Sequence, residues 1–288
     1  MHEIESMREG QNQEKSVAVG EMYSSMSNAL KLSLISINAA LYAVAISVTS
    51  PIPTPWGVGH FRPGVVIPAF FSLVFGPLVG GLGAAIGCFI GDFALSFFGL
   101  TNPLLSLIAG VPGNFFGFYL LGWLITKNRS LSYFIIANLI ALIVGNLIAA
   151  LGVLAYFWFI VPDWAVWPLE LKATVVSGLT IFWVTTMVIF VVPLVPILVA
   201  YIEPRLERIG VKGLYNLEWN ESSCLLRSSG FVAAFLALIY FVVTFVPGGK
   251  NLFAGVVPPE LILISAVIVL ISGALFAVYA KKIVKPET

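Results

Sequence analysis

Long apolar runs, separated by short polar or proline-rich breaks, dominate the chain. Six runs of at least 20 residues carry at most one Asp, Glu, Lys or Arg: 32–61, 63–126, 130–162, 173–202, 228–249 and 261–280. A helix needs roughly 20 apolar residues to cross about 30 Å of hydrocarbon. Strands of a membrane β-barrel would instead alternate apolar and polar residues. The pattern predicts an all-α, polytopic transmembrane helix bundle.

The breaks divide these runs into eight predicted helices. Residues 64–98 form two short helices, because Pro77 has no backbone N–H with which to continue a helix through Gly76. The other six helices are predicted at about 30–49, 103–126, 131–160, 173–201, 228–247 and 261–280. One long helix over 64–98 would give seven spans instead.

The distribution of basic residues favours eight spans. With the N-terminus in the cytoplasm, three of the 15 Lys and Arg residues fall outside, namely Arg62, Lys172 and Lys250, and the other 12 fall inside. Cytoplasmic loops of membrane proteins carry such an excess of Lys and Arg. Seven spans would invert everything after residue 98 and scatter these charges. We therefore expect a multi-pass protein of the cell membrane with both termini in the cytoplasm.

The helices define four segments. Residues 1–28 are polar and acidic, unlike a signal peptide, and predict a flexible cytoplasmic tail. Residues 29–202 form a six-helix membrane core. Residues 203–227 form a polar cytoplasmic connector, and residues 228–288 form a two-helix membrane extension.

Composition narrows the classes of function. Hydrophobic residues make up 59% of the 288 residues and charged residues 10%, which excludes a disordered chain, a disulfide-rich secreted scaffold and a soluble enzyme. The net charge of +1 gives no reason to expect a nucleic acid partner. The two cysteines, Cys88 and Cys224, show no metal-binding spacing, so neither a metal nor a cofactor is predicted.

Asp92 is the exception within the apolar runs. A carboxylate inside a membrane helix costs roughly 2.5–3.5 kcal/mol, so it needs a partner or a wet cavity. Arg62 lies 14 residues before Gly76, and Asp92 lies 15 residues after Pro77, which brings both to the same depth, about 20 Å from the turn. The spacing predicts a structural Arg62–Asp92 ion pair. A proton or cation site at Asp92 is the alternative.

Several short motifs resemble those of a known family. The chain contains FRPGVVIP at 61–68, FGPLVGG at 75–81 and IGD at 90–92, and its first helix has an AxxxA pattern at Ala39 and Ala43. Together these motifs resemble the S component, the substrate-binding membrane subunit, of energy-coupling-factor (ECF) vitamin transporters. The resemblance covers roughly residues 30–201. The last two helices depart from the six-helix pattern of that family.

The resemblance implies a function in uptake. An S component captures a vitamin or a related small molecule outside the cell, docks onto a transmembrane coupling subunit and relies on two ATPase subunits for delivery. It is not an enzyme, and this chain has no GxxxxGK[ST] phosphate-binding loop. Ala39 and Ala43 would let the coupling subunit approach the first helix closely. Packing of both alanines within the chain itself is the alternative.

Six residues are candidates for contact with the ligand: Trp56, His60, Asn114, Asn146, Tyr156 and Trp183. By resemblance, the loop over 50–63 acts as a lid that carries Trp56 and His60, and helices four to six line the site. A small-molecule site combines apolar or aromatic walls with a few polar groups, which these residues supply. An aromatic belt at the membrane interface and ordinary core packing would explain the same aromatic residues.

Two other classes of function compete with this interpretation. An ion-coupled secondary transporter would use Asp92 as its coupling site, because intramembrane carboxylates commonly serve that role. A membrane enzyme would need clustered catalytic groups, which the apolar runs lack. The sequence favours the substrate-binding subunit of an ECF transporter and does not identify the vitamin.

Overall fold

The computed structural model describes residues 26–49, 60–161, 163, 166–208, 219, 221–246 and 258–283. Within these residues every regular element is helical, as the apolar runs predict. Seven of the helices are long and apolar enough to cross a membrane. The chain is therefore an all-α polytopic membrane bundle.

We number the helices in chain order. They are α1 (Asn28–Thr49), α2 (Val66–Phe75), α3 (Pro77–Ser96), α4 (Pro103–Lys127), α5 (Leu131–Ile160), α6 (Leu169–Arg208), α7 (Ser222–Phe245) and α8 (Pro259–Ile283). A 3₁₀ turn, Pro63–Val65, leads directly into α2, and the two together are about 20 Å long. Of the eight predicted helices, α2 is thus the one too short to cross the hydrocarbon by itself.

The α2–α3 hairpin forms at the predicted break. Gly76 adopts a φ of 90°, a conformation that glycine enters without penalty, and Pro77 begins α3 at a position that requires no N–H. A Cβ atom on Gly80 would overlap the side chain of Ser72. The two antiparallel backbones therefore approach closely just beyond the turn.

The glycine row of α3 packs against α1. A Cβ atom on Gly87 would lie 2.7 Å from the carbonyl oxygen of Ala39, and one on Gly91 would lie 3.1 Å from that of Ala43. Ala39 and Ala43 are consequently only 3% and 7% exposed. Helix α3 occupies the face of α1 that carries Ala39 and Ala43, because its glycines have no side chains to hold α1 away. This packing favours the alternative in which both alanines pack within the chain itself.

The remaining helices complete the bundle in sequence order. Helix α4 packs between α3 and α5, while α6 packs against α5 and α2. Gly113 and Gly117 of α4 lie against Gly145 of α5, so these two helices also meet through small residues. Helices α7 and α8 pack on each other, and α7 also contacts α5 while α8 contacts α6.

Helix α6 is longer than predicted. It continues over 40 residues to Arg208 with Pro193, Pro196 and Pro204 inside it, whereas the apolar run predicted an end near residue 201. Helix α7 begins at Ser222 rather than near 228. Helical structure thus reaches into both ends of the predicted 203–227 connector. An apolar run marks only the part of a helix inside the hydrocarbon, and polar residues can continue the helix beyond it.

Candidate binding cavity

A cavity of about 370 Å³ lies among α3, α4, α5 and α6, beside the residues that precede α2. Its walls consist of His60, Arg62, Asp92, Gly99, Leu100, Thr101, Asn102, Leu105, Ser106, Ala109, Gly110, Asn114, Asn146, Ala149, Val153, Phe157, Trp183 and Met187. Small-molecule sites in proteins have volumes of roughly 300–1,000 Å³. The cavity is therefore large enough for a small organic ligand.

A π-helical turn near the start of α4 shapes one wall of the cavity. Residues Ser106–Gly110 form the turn, and the N–H of Val111 bonds to the carbonyl of Ser106, one residue farther back than in an α-helix. Pro112 follows and has no N–H to offer to an α-helical bond. Such turns are frequent at functional sites. Here the turn places Ser106 and Gly110 on the cavity wall.

Arg62 and Asp92 form a buried ion pair at the cavity. Nη2 of Arg62 donates to Oδ1 of Asp92 at 2.6 Å, and the two side chains are 11% and 3% exposed. The hydroxyl of Ser106 donates to Oδ2 of Asp92 at 2.5 Å, and that of Thr101 donates to the Asp92 carbonyl oxygen. Both carboxylate oxygens therefore have donors, which a buried carboxylate requires.

The guanidinium of Arg62 stays charged in this environment. Burial is the largest single effect and disfavours the charged form, but the Asp92 carboxylate, together with smaller contributions from Cys88 and Tyr42, raises the pKa of Arg62 above its usual range. A positive charge thus faces Asp92 throughout the physiological pH range. Because this charge already compensates the carboxylate, the geometry favours a structural ion pair over cation uptake at Asp92.

Asn114 is held in a fixed orientation by its neighbours. Its Oδ1 accepts from the hydroxyl of Tyr42 at 2.7 Å, and its Nδ2 donates to the Gly110 carbonyl at 2.8 Å and to Sγ of Cys88 at 3.3 Å. The same sulfur accepts from Nη1 of Arg62 at 3.1 Å. One hydrogen-bonded network therefore joins α1, α3, α4 and the segment before α2.

His60 and Trp183 connect the segment before α2 to α6. Nε1 of Trp183 donates to the His60 carbonyl oxygen at 3.3 Å, and Nε2 of His60 lies 2.6 Å from the carbonyl oxygen of Leu100. Since a carbonyl oxygen only accepts, Nε2 carries the hydrogen. Nδ1 of His60 is buried and has no hydrogen-bond partner among the described residues.

The wall contributed by α5 is one row of side chains. Asn146, Ala149, Val153 and Phe157 follow the helical spacing of three and four residues that keeps side chains on one face. Tyr156 is not on this row, and its ring packs against that of Phe157 with centroids 5.2 Å apart. The prediction for Tyr156 is therefore corrected to Phe157, because one step along a helix rotates the side chain by about 100°.

The structure brings most of the ligand candidates into one cavity. His60, Asn114, Asn146 and Trp183 all line it, next to the Arg62–Asp92 pair. Trp56 lies outside the described residues.

Sequence reasoning missed Ser106, Phe157 and Met187. The Gly110-x-Pro112 pair is a signal of irregular backbone near Ser106. No sequence pattern marked Phe157 or Met187, because a helix that is apolar on all sides does not show which side faces a cavity.

The chemistry of these walls suits noncovalent capture. Within the described residues, no three His, Cys, Asp or Glu side chains are grouped closely enough to hold a metal ion. Apolar surface comes from residues such as Val153, Phe157 and Trp183, and hydrogen-bonding groups come from Asn114 and Asn146. A ligand with a flat apolar part and polar edges matches this combination.

Comparison with known proteins gives one family. A family model described as "ECF-type riboflavin transporter, S component" matches residues 26–195, more than half of the chain. Every residue that lines the cavity lies within the matched part. The searches of curated proteins and of solved structures found no match.

Proposed function

Because the chain belongs to the family of ECF-type riboflavin transporter S components, we propose that it binds riboflavin, or a vitamin of similar build, in the cavity beside Arg62 and Asp92. The bound vitamin then passes into the cytoplasm with the help of a transmembrane coupling subunit and two ATPase subunits. The chain itself is a transporter subunit, and energy enters through its partners.

One observation carries this proposal. The cavity is built between His60 and Met187, entirely inside the region 26–195 that matches the family model. Among the described residues of α7 and α8, none lines the cavity. We therefore assign the substrate-binding function to the six-helix core.

The walls supply what recognition of a flavin requires. Riboflavin combines a flat ring system, which has hydrogen-bonding edges, with a hydroxylated side chain. Phe157 and Trp183 offer apolar surface for the rings, with aromatic contacts worth roughly 0.5–1.5 kcal/mol beyond their buried area. Asn114 and Asn146 each offer an amide, and these neutral groups match the edges of a neutral ligand.

The orientation in the membrane follows from charge. Arg62, Lys172 and Lys250 are the three basic residues on the side opposite the predicted cytoplasmic face, and the other 12 lie on the cytoplasmic side. Arg62 lines the cavity, so the cavity opens toward the outside. We propose that the loop over 50–63, of which residues 50–59 lie outside the described residues, acts as its lid, and that both termini lie in the cytoplasm.

Helix α1 remains the element that docks onto the coupling subunit, through a different face from the one expected. Ala39 and Ala43 are covered by α3, whereas Ile37, Leu41 and Val44 are 49%, 48% and 63% exposed. Replacing Leu41 with Trp should preserve vitamin binding and reduce coupled uptake. Trp at both Ala39 and Ala43 should abolish binding, because the larger side chains would push α1 away from α3.

The proposal is tested by identifying the small molecule that the protein carries. The full chain is purified in mild detergent and its bound ligands are released and analysed by mass spectrometry. We expect riboflavin or a close relative. A purified, folded protein that carries no such molecule and does not take up added riboflavin would overturn the proposal.

The energy source is tested separately in cells. Uptake should require the ATPase subunits and should continue when ion gradients are collapsed while ATP is maintained. Uptake that stops with the gradient and needs no ATPase would instead establish the ion-coupled alternative, with Asp92 as its coupling site.

A further inference from the structure

A second, smaller cavity lies beside the main one, and we refer to it as the annex. Its volume is about 30 Å³, and its lining includes Val65, Phe118, Leu121, Asn138 and Leu142. The annex shares Asn114, Asn146, Ala149 and Met187 with the main cavity, so the two volumes adjoin. The three glycines at the α4–α5 contact, Gly113, Gly117 and Gly145, also border it.

Asn138 is the unusual member of this lining. Its side chain is 1% exposed, and neither Nδ2 nor Oδ1 has a hydrogen-bond partner among the described residues. Burying an amide without partners is costly, and the great majority of buried polar side chains are paired with protein or with ordered water. A buried amide within a membrane helix therefore calls for a partner.

The annex can hold that partner. A void of this kind needs only about 10–15 Å³ to hold one water molecule, provided that polar groups line it. The amide of Asn138 supplies unpaired donors and acceptors, Asn114 and Asn146 add further polar groups, and the lining contains no charged residue. A neutral molecule that donates and accepts hydrogen bonds fits these conditions, whereas an ion does not.

We infer that the annex is a binding site for one or two ordered water molecules, held by the amide of Asn138. These waters satisfy both amide atoms and keep the base of the main cavity hydrated before a ligand arrives. The inference concerns the ligand-free protein and stands whether or not the ligand is riboflavin.

Radiolytic footprinting of the ligand-free full chain in lipid nanodiscs tests this site. Brief X-ray pulses convert bound water to hydroxyl radicals, which oxidise the adjoining side chains, and mass spectrometry measures the oxidation. Phe118 is the reporter, because it lines the annex and not the main cavity and is only 6% exposed. Phe134 is the reference, since it is fully buried on α5 and lines neither cavity.

Two variants of Asn138 separate the outcomes. We expect Phe118 to be oxidised several-fold faster than Phe134 in the native chain and in Asn138→Ser, which keeps a polar group and leaves room for water. In Asn138→Leu, whose new side chain is apolar and of similar size, the oxidation rate of Phe118 should fall to that of Phe134. Thr186→Val, which alters a buried residue that lines neither cavity, should leave the oxidation rate of Phe118 unchanged.

The inference fails if Phe118 is no more reactive than Phe134 in the native chain, or if Asn138→Leu leaves its reactivity unchanged. If Asn138→Leu does not fold, the native chain and Asn138→Ser still decide the question.

Discussion

The Arg62–Asp92 ion pair lends itself to a double-mutant cycle. Asp92→Asn keeps the shape of the side chain but leaves the Arg62 guanidinium, which is 11% exposed, without a counter-charge. Breaking a buried pair by removing one partner costs about 3–5 kcal/mol, and we expect the lower end, about 3 kcal/mol, because the pair borders a cavity. This loss corresponds to a roughly 100-fold change in the folding equilibrium.

The neutral double variant makes the test quantitative. Arg62→Gln alone should also be destabilising, since it leaves the carboxylate unpaired, whereas Arg62→Gln with Asp92→Asn removes both charges and should recover about 2 kcal/mol. The measurement is the free energy of unfolding in mixed micelles of sodium dodecyl sulfate, followed by tryptophan fluorescence. If the stability losses of the two single variants sum to the loss of the double variant within about 0.5 kcal/mol, the two charges do not stabilise the fold as a pair.

The same unfolding measurement tests two helix contacts. Gly87→Ala should cost about 1–3 kcal/mol, because its Cβ would meet the α1 backbone at 2.7 Å. The control is Gly230→Ala, whose new Cβ has no atom within 4 Å and which should stabilise α7 by up to about 1 kcal/mol. Equal changes in the free energy of unfolding at the two glycines would contradict the packing of α1 on α3. Ser265→Ala removes the 3.0 Å hydrogen bond from α8 to the Thr185 carbonyl and should cost about 0.6 kcal/mol. Ser272→Ala removes only a bond within α8 and should cost less, and an equal or greater loss would argue against that anchoring of α8 on α6.

Much of the fold was predictable because membrane helices obey a simple length rule. The apolar runs gave the helices, and the break at Gly76 and Pro77 gave the α2–α3 hairpin. Counting equal distances from that break also brought Arg62 and Asp92 together in the prediction, and the structure places them 2.6 Å apart. These features depend on chain length and on backbone rules that act locally.

The rotation of each helix about its axis was not predictable to the same extent. A soluble helix reveals its buried side through its polar face, but α5 is apolar nearly all round, so nothing distinguished Tyr156 from Phe157. Ala39 and Ala43 posed the same problem, because small residues suit an internal helix and a partner helix equally well. The glycine row of α3, which packs against both alanines, favours the internal helix.

Equilibrium binding of riboflavin to the purified full chain decides whether this cavity is the vitamin site. We expect saturable quenching of tryptophan fluorescence with a single site. Asn146→Leu should weaken the affinity about tenfold or more, because it removes one hydrogen-bonding amide from the cavity. Ser272→Ala, whose side chain lies outside the cavity, should bind as the native chain does. Absence of saturable binding by the native chain, or equal affinity for riboflavin in Asn146→Leu, would contradict the assignment of this cavity as the vitamin site.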